Sequence, residues 1–254
     1  MGAASSLTRS RGGYDNCMSS GELIGGTAGV LAGGAWMAHA VRGRASQVFG
    51  SSVYHGDRGR PAIALTFDDG PSESTPALLS LLARHQASAT FFMCGKNVER
   101  LPEIASAVVA AGHEIGNHSD THPRFDFCSS EFIYRELASG QEKILRHAGV
   151  RPRLFRAPYG VRWFVLKKAQ TQLGLLGVMW GTLGKDWKWP APRITERLLQ
   201  HARAGEIVCL HDGRTTSPSP DIAATLAALE AVIPKLKERG FRFETVSQIL
   251  CPTT

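Results

Sequence analysis

From residue 62 onward, short apolar β-prone runs alternate with longer helix-patterned runs almost to the end of the chain. That alternation restricts the possible folds more than any other feature. The strand-like runs lie near 62–67, 88–94, 113–117, 153–156, 174–181, 206–210 and 241–245, and helical patterns fill intervals such as 74–85, 98–111, 129–148, 194–204 and 221–239. Strands separated by helices cannot pair as hairpins, so they read as βαβ units with parallel strands. The first run is apolar throughout rather than alternating, as in a strand covered on both faces. About seven units in roughly 200 residues predict an α/β fold, a (β/α) barrel smaller than the eight-unit kind, with catalytic groups at the carboxyl ends of the strands.

A chain of 254 residues with 43% hydrophobic content can fill one such domain. Its formal charge of +7 suits nucleic acid, anionic lipid or a cell-wall polymer. The basic residues are scattered and form no patch interleaved with aromatics, so a nucleic-acid partner is not expected. No Gly-x-Gly-x-x-Gly follows the first strand and no Walker-type loop occurs, which weakens dinucleotide and NTP readings. Cys17, Cys94, Cys128, Cys209 and Cys251 are odd in number and widely spaced, without a C-x-x-C pair. That pattern argues against a disulfide framework or a thiolate metal site, and Cys94 and Cys209 read as small core residues.

Residues 1–22 are polar and carry Arg9 and Arg11; residues 23–41 hold no charge and consist mainly of Gly, Ala and small aliphatics. This arrangement fits a signal peptide, with Ala38-His39-Ala40 as the small-x-small site, or a single-pass anchor, since about 19 residues can just span a bilayer. The expected organisation is a targeting segment over 1–44, a polar connector over 45–60 and a catalytic domain over 61–254. The expected location is exported or membrane-anchored, with possible membrane association through 23–41.

The strand ends collect chemistry. The first delivers Asp68-Asp69-Gly70-Pro71, two adjacent like charges that need a cation or strong donors nearby. The third runs into His118-Ser119-Asp120-Thr121-His122; two histidines at this spacing share a helix face or converge in a tight loop, and with one carboxylate they make a metal site with open positions. The fourth is Phe155-Arg156-Ala157-Pro158-Tyr159-Gly160, which offers a guanidinium to hold an Asp ionised. After the fifth comes Gly184-Lys185-Asp186-Trp187-Lys188-Trp189-Pro190. The sixth delivers His211, whose ordinary pKa suits proton donation near neutral pH.

In this order and spacing, Thr66-Phe67-Asp68-Asp69-Gly70, His118-x-x-x-His122, Arg156-Ala157-Pro158-Tyr159-Gly160, Asp186-Trp187 and Leu210-His211 resemble the five motifs of the polysaccharide deacetylases. These form carbohydrate esterase family 4, the NodB-homology domain, and the resemblance covers roughly residues 60 to 250. It implies a distorted (β/α) barrel of about seven parallel strands and metal-dependent hydrolysis of the N-acetyl group of a sugar polymer such as peptidoglycan or chitin. Water is the implied nucleophile, and an N-acetylated glycan the implied partner. Carried over residue by residue, Asp69, His118 and His122 would hold a divalent metal, most often zinc, with cobalt or nickel as substitutes. Asp68 would be the general base, oriented by Arg156, and His211 the general acid, oriented by Asp186. The Tyr159 N–H would help bind the oxyanion and Trp187 would wall the acetyl pocket. A deacetylase or deformylase of a lipid-linked amino sugar is the alternative within the fold; a metal-independent amidohydrolase and an inactive carbohydrate-binding relative rank lower.

One departure stands out. Where many members of the family carry a second acid before the Asp-Trp pair, this chain has Gly181-Thr182-Leu183-Gly184-Lys185. Lys185, Lys188 and Arg193 are then expected to crowd the pocket rim and to favour an anionic glycan.

Overall fold

The computed structural model describes residues 20–215 and 217–251. The chain divides into two compact units, 1–38 and 39–254. Of the first unit the structure describes most of a helix, α1 (Ser20–Arg42), whose last turn belongs to the second unit. The charge-free run 23–41 forms the body of this helix. Its many glycines keep it weakly hydrophobic, and no helix among the described residues is long and apolar enough to cross a membrane. The Arg9 and Arg11 flank of the expected targeting segment lies outside the described residues.

Among the described residues the second unit is built on nine strands: β1 (Ser52–Val53), β2 (Ala62–Gly70), β3 (Ala89–Met93), β4 (Glu114–Asn117), β5 (Leu154–Phe155), β6 (Leu176–Val178), β7 (Thr182–Leu183), β8 (Glu206–His211) and β9 (Arg242–Phe243). They form one curled sheet in the order β1-β6-β5-β4-β3-β2-β8-β7, with β9 added to β2. Every pairing between these strands is parallel. The edges of this sheet are β1 and β7, and among the described residues no ladder joins them, so the barrel is distorted and open at that seam.

The interval helices are α2 (Thr75–Arg84), α3 (Gly95–Arg100), α4 (Pro102–Ala110), α5 (Ser130–Ala148), α6 (Leu166–Leu173), α7 (Ala191–His201), α8 (Ala223–Glu238) and α9 (Val246–Leu250). The helix expected over 98–111 is broken into α3 and α4 because Pro102 supplies no N–H to continue the first segment. Residues 45–60 are built into the sheet unit: β1 pairs with β6, Phe49 is buried, and Arg162 Nη1 donates to the Ser46 carbonyl and to Ser52 Oγ at 2.6 and 2.8 Å.

The period-two alternation of a strand explains the core. On β2, Ile63, Leu65 and Phe67 face outward and pack with Leu78 and Leu81 of α2 and Leu229 and Val232 of α8. Ala62 and Ala64 face the barrel interior with Phe92, Val178 and Ile207, and Val246 and Ile249 of α9 close that end. Each such large apolar side chain contributes about 1.5–3 kcal/mol on burial. The next inward positions on β2 are Thr66 and Asp68, so the interior turns polar toward the carboxyl ends of the strands.

Candidate active site

The two adjacent acids of β2 point to different places. Alternation already separates them, and a register shift against β3 between Asp68 and Gly70, with Asp69 at φ 73°, turns the second acid out of the ladder. Gly70 is required beside them, since a Cβ there would lie 2.4 Å from the buried Asp212 carboxylate.

Asp68 faces the interior and meets Arg156, whose guanidinium is fully buried. Arg156 Nη1 donates to Asp68 Oδ1 at 2.6 Å and to Thr66 Oγ1 at 2.7 Å; Nε donates to the Val178 carbonyl at 3.0 Å. The guanidinium also stacks over Phe92 at 4.2 Å. An acid in this position is paired with a cation that cannot deprotonate, which offsets its desolvation.

Asp69 turns toward a loop that follows β4. His118 and His122 lie on that loop rather than on a helix, and Ser119 and His122 adopt left-handed φ of 66° and 62°. Local bonds hold it: Asn117 Oδ1 accepts from Ser119 N at 2.8 Å, and Ser119 Oγ accepts from His122 N at 3.0 Å. Glu136 of α5 takes the Asp120 and Thr121 amides at 3.1 and 2.9 Å. The two imidazoles lie 4.9 Å apart between ring centroids, with Nε2 of His118 and His122 at 3.3 and 3.0 Å from Asp69 Oδ1. His118 Nδ1 donates to the Arg156 carbonyl at 2.8 Å, leaving its Nε2 lone pair for a ligand. Asp69 Oδ2 is occupied by the Thr215 amide at 2.7 Å, whereas the buried Oδ1 accepts no well-formed hydrogen bond. Burial alone would raise the Asp69 carboxyl, but the two imidazoles hold it well below the usual carboxylate range.

This donor set fits a divalent cation. Tetrahedral zinc with nitrogen and oxygen ligands near 2.0–2.2 Å sets its ligands roughly 3.3 Å apart, close to the two separations seen here. One ligand atom from each of Asp69, His118 and His122 lies within 4.8 Å of the others, and all three residues are buried.

On the opposite wall, Asp186 follows β7 and is buried. Its Oδ1 accepts from His211 Nδ1 at 2.9 Å, while Oδ2 accepts the His211 amide at 2.8 Å and Thr225 Oγ1 at 2.8 Å. Burial would lower the His211 pKa, but the Asp186 carboxylate more than offsets it and the imidazole titrates above its ordinary value. Asp186 in turn, raised by burial, is held below its ordinary value chiefly by the His211 bond. Trp187 sets its ring edge-on to His211 at 5.0 Å. Tyr159, in a 3-10 turn at φ 57°, packs against His122 at 4.7 Å.

Of the nine residues singled out in the sequence, Asp68, Asp69, His118, His122, Tyr159, Trp187 and His211 line one pocket of about 490 Å³, and Arg156 and Asp186 stand directly behind its wall. The rim differs from expectation. Lys185 and Arg193 stack on Trp189 at 4.9 and 4.1 Å instead of facing the pocket, because Trp189 offers its ring face beside the α7 N-terminus. The cations that line the pocket are Arg42 and Arg214. Cys209, expected as a core residue, is buried but also lines the pocket, with Sγ 3.4 Å from Asp68 Oδ2. Thr66, which fixes Arg156 while donating to the Val208 carbonyl at 2.7 Å, was not singled out either. The period of two on β2 and β8, which places Thr66 under Asp68 and Cys209 under His211, is the signal that reveals both.

Comparison with known proteins gives a consistent picture. A family model described as polysaccharide deacetylase matches residues 55–178. A chitooligosaccharide deacetylase of Bradyrhizobium sp. (strain ANU 289) is 36% identical over 201 residues, covering 75% of this chain and 91% of that protein. The peptidoglycan-N-acetylglucosamine deacetylase PgdA of Listeria monocytogenes is 35% identical over 189 residues, or 74% of this chain; the match spans only 38% of the Listeria protein's length. Among solved structures, the Bc1960 peptidoglycan N-acetylglucosamine deacetylase superposes with a TM-score of 0.74 at 32% identity, covering 79% of this chain and 92% of that one.

Proposed function

Because the chain belongs to the polysaccharide deacetylase family, we propose that it is a metal-dependent hydrolase that removes N-acetyl groups from N-acetylglucosamine units of a glycan, peptidoglycan first among the candidates. One observation carries the reading: an acid held by a buried guanidinium, a three-ligand cluster and an imidazole–carboxylate pair all converge on one pocket.

Asp69, His118 and His122 would hold the cation, with zinc favoured by the nitrogen and oxygen donors and by the affinity order of the divalent metals. When bound it would polarise the acetamide carbonyl and increase the acidity of a water molecule. The remaining work belongs to the chain. Asp68, oriented by Arg156, accepts the proton of the attacking water at its carboxylate. The Tyr159 amide would donate to the carbonyl oxygen as negative charge develops, a kind of contact worth about 10²–10³ in rate; the place of Tyr159 in the pocket beside His122 supports this role. His211, whose Nδ1 proton is fixed by Asp186, presents Nε2 to protonate the leaving sugar amine. Trp187 and Leu183 shield the acetyl end from water.

Arg42 and Arg214 at the pocket favour a glycan bearing anionic groups and give the lipid-phosphate-linked amino sugar its standing as a second substrate. Export or membrane attachment through 23–41 is part of the same proposal, supported by the charge-free stretch in the sequence and by the peptidoglycan named for the Listeria relative.

The test is acetate release by the full chain from peptidoglycan, from neutral chito-oligosaccharides and from a lipid-linked N-acetylated sugar, with and without chelator. Release from peptidoglycan that chelation abolishes supports the proposal. Release indifferent to chelator rejects the metal mechanism, and preference for the lipid-linked substrate moves the assignment to the second one.

A further inference from the structure

We propose that Asp68, Cys209 and His211 form a second, weaker and thiolate-type metal site, whose occupancy switches the enzyme off. Strand geometry places the three together. Cys209 and His211 are two apart on β8 and therefore share a face, and β2 lies beside it with Thr66 in register with Cys209 and Asp68 with His211. Cys209 Sγ lies 3.4 Å from Asp68 Oδ2, and one ligand atom from each residue falls within 4.8 Å of the others.

Two of the three groups are oriented in the way metal ligands are, while the third, the buried Cys209 thiol, must give up its proton to bind. His211 donates Nδ1–H to Asp186, the carboxylate–histidine arrangement that orients an imidazole and leaves Nε2 as the ligand atom. Arg156 engages Asp68 through Oδ1, so Oδ2, the atom beside the thiol, is the one available to a cation. All three residues line the same pocket, which gives a path from solvent.

The two sites differ in kind. Asp69, His118 and His122 offer oxygen and nitrogen; the second set adds sulfur and therefore selects zinc, cadmium or copper(I) over magnesium, calcium or manganese. As the metal–sulfur bond forms, the Cys209 Sγ–H bond breaks and its proton passes to water. The Arg156 cation and the charge bound at Asp69 oppose entry, so this site fills only after the first, at least about tenfold more weakly. Filling it occupies the base and the acid together.

The inference rests on the catalytic roles proposed above for Asp68 and His211, and the experiment separates the two. The metal-free full chain is titrated with Cd²⁺ while bound metal and ultraviolet absorption are followed, and a zinc titration follows acetate release. The first equivalent is expected without a thiolate-to-metal charge-transfer band, and the second with one. Excess zinc is expected to cut activity to below about a tenth of its value at one equivalent, a difference of at least 1.4 kcal/mol. In Cys209→Val, and in Cys209→Ala as the variant less demanding on packing, the band and the second equivalent disappear. Activity at excess zinc, divided by the same variant's activity at one equivalent, stays near one. A second equivalent without the band, or a band and inhibition that survive in both variants, overturns the proposal. Failure of the deacetylase reading appears instead as no acetate release at one equivalent, with stoichiometry and band still readable.

Discussion

Arg156 Nη1 lies 2.6 Å from Asp68 Oδ1, and the same nitrogen lies 2.7 Å from Thr66 Oγ1, so one buried donor fixes both the acid and the residue two places before it on β2. Removing the guanidinium strands Asp68 as an uncompensated charge. Arg156→Met is expected to lose about 3–5 kcal/mol in urea-induced unfolding. Asp68→Asn leaves no such charge on the acid side; its kcat should fall about 10²–10⁴-fold while it still binds one equivalent of zinc at Asp69. Full activity in Asp68→Asn would remove Asp68 from the base role.

Chelation should lower stability as well as activity. A ligand at a thousandfold excess over its Kd contributes about 4 kcal/mol to the folded state, so the thermal midpoint should fall on adding chelator and recover on adding zinc. Asp69→Ala should lose the rise produced by the first equivalent of zinc, because it removes the carboxylate both imidazoles face. A midpoint in Asp69→Ala that still rises in full at one equivalent of zinc would place the principal site elsewhere.

His211 titrates above its ordinary value because Asp186 outweighs burial, so its acid form persists to higher pH than a free imidazole would allow. In Asp186→Asn that support is gone. The basic limb of kcat/KM should move to lower pH, while the acidic limb stays in place. An unmoved basic limb would mean that another group donates the proton.

Glu73 is held down to about 2, first by the Ser219 amide at 2.8 Å and then by Arg100. Its folded-state pKa is depressed, so the stabilisation it gives is present above the unfolded value of about 4.3 and is lost as pH falls from there toward 2. The segment around Ser219 follows Arg214 and Thr215 of the pocket. Its amide-exchange protection should therefore drop over that acid window, and Glu73→Gln should show the lowered protection already at pH 7. Equal protection in both proteins at pH 7 would discount the contact.

The alternation of strands and helices was legible because β2 is apolar on both faces and the helices between strands carry their own period. The site was legible because each motif falls at a strand end, and parallel strands bring those ends together whatever the intervening loops do. Other features needed three dimensions. Phe49 and Ser52 look like connector residues until β1 is seen to pair with β6, since a two-residue strand leaves no periodic signal. Lys185 and Arg193 sit beside the motif in sequence, yet the Trp189 ring face captures them, while Arg42 and Arg214 reach the pocket from more than a hundred positions apart. Cys209 looks like a core residue because it is one: it is buried, and only the neighbouring strand reveals that its sulfur touches an acid.

The reach of Arg156 across the barrel interior has a consequence for how this protein tolerates change. Where the β6 ladder ends, the Val178 carbonyl is taken by Arg156 Nε at 3.0 Å, and the Met179 carbonyl lies 3.4 Å from Nη2. The guanidinium thus ties the carboxyl end of β6 to β2 across the barrel interior, between two strands that share no ladder. Support of the barrel interior and placement of Asp68 fall to one side chain, so selection for a stable fold alone would preserve Arg156. A lineage that gave up the reaction would find that side chain among the last it could discard.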